Sequence, residues 1–173
     1  MSNHVLLFPA QEIQSRIQGL ARQIADDYEG RDLVLVGILK GAAFFLTDLA
    51  RAFPGALDFE FVDVHQSRGE RGEVVQLTFA TQIDVRAKHV LVLKDVVHSG
   101  VTENYLVTHL SQHAPASIEI AALVDKPQQR SVPLKTRYAL FSDVPEGYLA
   151  GYGLGGRTED RPNNRDLCII DDE

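Results

Sequence analysis

Apolar positions along the chain fall into two alternating rhythms. Ile13, Ile17, Leu20 and Ile24 recur at steps of four, three and four, which places them on one face of a helix. The pattern predicts an amphipathic helix over residues 10–28, ending near Gly30. LVLVGIL, residues 33–39, is apolar on both faces and rich in branched side chains, as a strand inside a parallel sheet must be. AAFFLTDLARAF (42–53) returns to a helical rhythm and is closed by Pro54 and Gly55. ALDFEFVDV (56–64) then alternates Leu57, Phe59 and Phe61 with the period of a strand.

HQSRGERGE (65–73) breaks both rhythms. Its two glycines and low apolar content predict a mobile loop, with a strand resuming at VVQLTF (74–79). VLVL (90–93) predicts a buried strand, residues 98–102 a turn, the residues through about Ser111 a helix, and IEIAALV (118–124) another buried strand. Strands alternating with helices define an α/β class, here a mainly parallel sheet flanked by helices. Beyond Lys126 and Pro127 the pattern changes to short strand-like pieces, YALF, YLAGYGL and LCII, separated by Pro and Gly. One domain over residues 1–173 is expected, with a core of about 30–125. Residues 126–173 would join residues 1–12 in a small hood.

Composition narrows the class. The 173 residues, 45% hydrophobic and 24% charged, suit one domain with its own core. No run approaches the roughly 18 apolar residues of a membrane span. The opening MSNHVLLFPAQEIQ lacks the basic region and cleavage site of a signal peptide, so a cytoplasmic protein without a membrane partner is expected. The net charge of −7 disfavours a nucleic-acid partner, whose phosphates need a basic face; an RNA-binding regulator fits poorly for the same reason. Cys168 is the single cysteine and lies in LCII, which excludes an internal disulfide and suggests a buried, inert thiol.

Candidate chemistry concentrates in HVLVLKDVVHSGVTENYL, residues 89–106. A strand running through a short turn into a helix exposes backbone N–H groups at the helix N-terminus, where the dipole also favours an anion. His98, Ser99, Gly100, Val101 and Thr102 form that turn. Gly100 permits close backbone approach, and the Ser99 and Thr102 hydroxyls can donate to phosphate oxygens. Ser-Gly-x-Thr after a strand is also an ordinary turn and cap, so the motif takes its meaning from the rest of the chain.

Together these stretches resemble the type I phosphoribosyltransferases, and most of all the hypoxanthine/guanine branch of purine salvage. LVLVGILKGAAFFLTDL resembles the family's first strand and its Leu-Lys-Gly pyrophosphate loop, here Leu39, Lys40 and Gly41. VLVLKDVVHSGVT resembles the signature that binds phosphoribosyl pyrophosphate (PRPP). LVDKPQQR resembles the segment whose lysine, here Lys126, donates to the exocyclic oxygen of the purine. EGYLAGYGL resembles the stretch in which an aromatic residue, Tyr148, stacks on the base while the backbone of Leu149 reads its edge. Arg161, in GGRTEDRPNN, matches the family's pyrophosphate-binding arginine. HQSRGERGE takes the place of the loop that closes over the site, with Ser67 and Arg68 where the family has Ser-Tyr. The resemblance implies a transferase that binds PRPP with magnesium, passes its phosphoribosyl group to a purine base, and forms a homodimer or homotetramer.

Beyond Arg68, three further positions depart from that pattern. Lys94 stands at the first acidic residue of the signature, which accepts from a ribose hydroxyl; an ammonium only donates. Asp95 keeps the second acidic position. His98 replaces the aspartate that serves as general base, and Gly155 replaces an aspartate that helps hold a second magnesium. The candidate catalytic residues are therefore His98 and Asp95, and Asp95 is the remaining candidate metal ligand. An imidazole with a pKa near about 6.5 can take a proton, whereas an adjacent dianionic phosphate favours the imidazolium, which cannot. Two readings follow: a hypoxanthine/guanine transferase, or a homologue that binds a purine nucleotide or phosphate with little transfer and weak magnesium dependence.

Overall fold

The computed structural model describes residues 3–69, 72–79, 84–142 and 144–171. Strand β1 (Asn3–Phe8) leads into helix α1 (Ala10–Asp27), then β2 (Leu33–Ile38), α2 (Ala43–Ala52), β3 (Asp58–Gly69) and β4 (Gly72–Phe79). The second half contains β5 (His89–Val97), α3 (Val101–Ser111), β6 (Ser117–Asp125), β7 (Tyr138–Phe141), β8 (Tyr148–Ala150) and β9 (Leu167–Asp171). Six strands form one sheet in the order β4-β3-β2-β5-β6-β7, parallel throughout except for the antiparallel β3–β4 edge. A second sheet of order β1-β9-β8 is antiparallel.

The alternation within each buried strand divides the core in two. Leu33 and Leu35 of β2, with Leu91 and Leu93 of β5, pack with Ile13, Ile17 and Ile24 of α1 and Phe45, Leu46 and Leu49 of α2. Val34, Val36, Val90 and Val92 project to the opposite face and meet Leu106 and Leu110 of α3. Each such side chain stabilises the fold by about 1.5–3 kcal/mol on burial, so one strand sequence secures helices on both sides. Cys168 is buried as expected, and burial pushes its thiol pKa up. Among the described residues no helix is long and apolar enough to cross a membrane.

Two expectations are corrected. Residues 65–69 extend β3 and residues 72–73 open β4, with Val62 to Gly69 in register with Phe79 to Gly72. The described part of the expected loop is therefore a strand pair, because ladder hydrogen bonds use main-chain groups and do not require apolar side chains. Glu70, Arg71 and the side chains of residues 66–69 lie outside the described residues. YALF, expected in the hood, instead pairs with β6 as the edge strand β7 of the six-stranded sheet. Phe141 stacks on Phe8 at 3.7 Å between ring centroids, so this short segment is held on the large core.

Parallel β2, β5 and β6 end side by side. Their C-terminal ends carry Leu39–Gly41, His98–Thr102 and Lys126 respectively, the place where open α/β sheets bind ligands.

Candidate active site

The turn after β5 is built by a segment 30 residues further on. Arg130 donates to the Val97 carbonyl at 2.8 Å and the His98 carbonyl at 2.6 Å, reaches Thr136 Oγ1 at 2.9 Å, and pairs with Asp125. The backbone N–H groups of Lys126 and Ser131 donate to the carbonyls of Val97 and Ser99, both at 3.0 Å. These bonds satisfy the carbonyls that β5 leaves when it stops pairing, and they fix the path of residues 97–99. Gly100, at φ +80°, then caps α3. Ser99 Oγ accepts from Val101 N at 3.4 Å, and Val101 and Thr102 form the first turn of α3.

Gly100 serves packing. A Cβ there would lie 3.1 Å from both Leu134 and Val132 side chains, in a left-handed conformation that costs a non-glycine residue about 1–3 kcal/mol. Gly100→Val is therefore expected to destabilise the whole fold by at least that amount, read as a lowered Tm in thermal unfolding. A phosphate-binding test belongs on the Ser99 and Thr102 hydroxyls instead.

Lys94 and Asp95 meet. The Lys94 ammonium donates to Asp95 Oδ1, and both side chains are about four-fifths buried. Gly41 closes the other side of Asp95: a Cβ on Gly41 would fall 1.8 Å from Asp95 Oδ2, so only glycine lets the Leu39–Gly41 loop pass this carboxylate. The Leu39–Lys40 peptide is cis. Lys40 is exposed and Leu39 half-buried. Beneath the turn, Glu103 in the first turn of α3 is buried; burial raises its pKa, while its own backbone N–H and the Lys94 charge oppose the rise.

Two cavities border these groups. One, of about 240 Å3, is lined by Lys94, Asp95 and His98 on one side and by Tyr148, Leu149 and Gly155 on the other, which unites predicted phosphate-site and base-site residues. The other, of about 570 Å3, is lined by Lys40, Gly155, Arg157 and Thr158 among others. Arg161 lines neither; it is exposed and closes a short 3-10 turn at φ +50°. Arg157, which the sequence did not single out, lines the second cavity together with Lys40. Ser67 and Arg68 lie on β3, and their side chains lie outside the described residues.

The loop after β8 explains Gly155. Gly155 sits at φ +110°, and a Cβ on it would lie 2.5 Å from Asp160 Cβ. Asp160 fills the space that an aspartate at 155 would need. Its Oδ2 accepts from Gly156 N and Arg157 N at 2.9 Å each and from Tyr148 Oη at 3.1 Å. The Arg157 N–H bond is the main cause holding the Asp160 carboxyl below its ordinary pKa. Asp160 thereby ties the Tyr148 hydroxyl to the loop that carries Arg157. Restoring an aspartate at 155 would demand a strained backbone and displacement of Asp160.

These donors serve magnesium poorly: Asp95 is paired with Lys94 and position 155 has no side chain, so an ion carried on substrate phosphates would gain no free carboxylate from either position. Lys126 is different again. It is only 7% exposed at the end of β6, and its ammonium makes no hydrogen bond or ion pair among the described residues.

Comparison with known proteins agrees with this geometry. The phosphoribosyl transferase domain family matches residues 7–153. A hypoxanthine-guanine phosphoribosyltransferase of Mycobacterium avium is 38% identical over 86% of this chain and 77% of its own length. One from Staphylococcus aureus is 32% identical over 88% of this chain and 86% of its own. The crystal structure of a Bacillus anthracis hypoxanthine-guanine phosphoribosyltransferase superposes with a TM-score of 0.87 at 28% identity, covering 99% of both chains. With its parallel sheet, its signature turn and relatives of this similarity across most of its length, the chain belongs to the hypoxanthine-guanine phosphoribosyltransferase family.

Proposed function

We propose that the protein transfers the phosphoribosyl group of PRPP to hypoxanthine or guanine, releasing pyrophosphate, as a homo-oligomer in the cytoplasm. The observation that carries the choice of purine is Lys126. The Lys126 stem is buried while its ammonium, without an acceptor among the described residues, stays accessible to solvent, and the C6 oxygen of a 6-oxopurine is an acceptor it can donate to. The adenine amino group presents a donor at the same place and would leave both groups unpaired.

The remaining residues divide the substrates between them. The turn at 98–102 would take the 5′-phosphate on the α3 N-terminus and the Ser99 and Thr102 hydroxyls. Tyr148 would stack on the base beside Leu149, and His98 would receive the purine proton. Lys40 and Arg157 would face the pyrophosphate. Holding both substrates in one orientation removes much of the entropic barrier to their reaction, and directed donors stabilise the charge that develops on the leaving group.

Lys94 sets this site apart in its metal requirement. With Lys94 on Asp95, PRPP affinity is expected to differ by less than about tenfold, or 1.4 kcal/mol, between chelator and excess magnesium. Lys94→Glu should weaken PRPP binding in chelator and make magnesium restore it. Calorimetric titration of both proteins checks this; a steep magnesium dependence in the unmodified protein would show that Lys94 leaves Asp95 when PRPP arrives. The same ion pair favours a second reading, nucleotide binding with little transfer, because it withdraws the retained carboxylate of the signature from the substrate.

A further inference from the structure

His98 is tied to two residues from separate parts of the chain. Its Nδ1 lies 2.8 Å from Gln129 Oε1, and Gln129 Nε2 lies 2.9 and 3.0 Å from the two carboxylate oxygens of Glu146. Gln129 belongs to the 3-10 turn after Lys126, and Glu146 precedes β8.

The chemistry of these groups gives the chain of bonds a direction. A carboxylate only accepts, so Glu146 must receive the Gln129 amino group, and the Gln129 carbonyl must then face His98. A carbonyl oxygen also only accepts, so His98 Nδ1 must carry the hydrogen. In a neutral imidazole the proton then sits on Nδ1, and Nε2 keeps its lone pair. The opposite tautomer would point a lone pair at a carbonyl oxygen. The backbone of His98 is held independently, by Arg130 on its carbonyl, so Gln129 acts on the ring and not on the turn.

We propose that Gln129 and Glu146 are positioning residues that hold His98 in its Nδ1–H tautomer and so reserve Nε2 as the proton acceptor in the cavity shared with Tyr148 and Leu149. The proposal rests on His98 being the base of the transfer reaction. An aspartate at this position would need no tautomer control, since either oxygen accepts; a histidine does, because the wrong tautomer offers the purine a donor where it needs an acceptor. Lys94 and Asp95 line the same cavity and pair with each other, while Gln129 makes the hydrogen bond to the imidazole ring.

The tautomer can be read directly. In the proton–nitrogen correlation spectrum of the imidazole, recorded well above the ring's ordinary pKa of about 6.5, His98 should show a protonated Nδ1 and an unprotonated Nε2. Gln129→Ala should move the ring toward the Nε2–H form and lower kcat about tenfold, with KM for purine and PRPP and affinity for GMP within about threefold; tenfold in rate corresponds to about 1.4 kcal/mol. The exchanged pair, Gln129→Glu with Glu146→Gln, again presents an acceptor to Nδ1 and should restore both tautomer and kcat. An Nε2–H tautomer in the unmodified protein overturns the inference, as does a Gln129→Ala protein with unchanged spectrum and kcat. If the unmodified protein binds GMP but forms no nucleotide from PRPP, the role of His98 as base fails with the transfer reading, and the spectrum separately decides whether the arm holds the ring.

Discussion

His98→Ala is expected to lower kcat for nucleotide formation by about 10²–10⁴-fold, the range that a positioned acid–base group supplies, while weakening GMP binding by less than about tenfold. The asymmetry follows from the placement of the ring. His98 is exposed at the mouth of the cavity it shares with Tyr148 and Leu149, whereas the 5′-phosphate is assigned to the α3 N-terminus, Ser99 and Thr102. Loss of the imidazole removes an acceptor needed as the purine proton departs and leaves the phosphate donors in place. A variant with unchanged kcat and raised KM would instead make His98 a phosphate ligand, since such a change removes binding common to ground and transition states. Steady-state kinetics with hypoxanthine and guanine, beside GMP titration, separates the two.

Lys126→Met is expected to lower kcat/KM for hypoxanthine and guanine by about 10- to 150-fold, from the roughly 1.5–3 kcal/mol that a hydrogen bond to a charged group contributes. Adenine should gain relative to both. The same substitution should leave Tm nearly unchanged, because methionine keeps the buried stem of a side chain whose solvent-accessible ammonium has no protein partner to lose among the described residues. That contrast distinguishes a ligand-binding lysine from a structural one: a lysine that held the fold would lose stability and activity together. Differential scanning calorimetry and the three-base kinetic comparison check both halves.

Periodicity made most of the fold legible. The steps of Ile13, Ile17, Leu20 and Ile24 placed α1, and the apolar runs at 33–39, 90–93 and 118–124 placed β2, β5 and β6, because a strand covered on both faces leaves no polar position. The hairpin arms at 65–69 and 72–73 were illegible for the converse reason: main-chain pairing leaves no mark in side-chain polarity. YALF was misplaced because four apolar residues look alike on a large sheet or a small one. Only its register with Ala121, Ala122 and Val124 decides between them.

The candidate site divides in the same way. Residues 94–102, Leu39–Gly41 and Lys126 could be singled out from the sequence because each lies in a local motif at a strand end. Gln129 and Glu146 could not, since they reach His98 across 31 residues and each other across 17, and no spacing rule connects such positions. Arg130 and Glu103 were missed for a related reason: a charged residue in a polar or helical stretch reads as solvated until packing shows it buried. Gly155 was read as a lost carboxylate. In the folded chain its position at φ +110° and the buried Asp160 beside it leave no room for a side chain there.

Direct assay of nucleotide formation tests the central claim most simply. The unmodified protein is incubated with PRPP and magnesium together with hypoxanthine, guanine or adenine, and the nucleoside monophosphates are resolved and timed. Formation of the hypoxanthine or guanine nucleotide at on the order of 1 s⁻¹ or faster, with adenine far slower, is the expected result. Binding of GMP without any transfer from PRPP would contradict it and leave a nucleotide-binding protein built on a transferase fold.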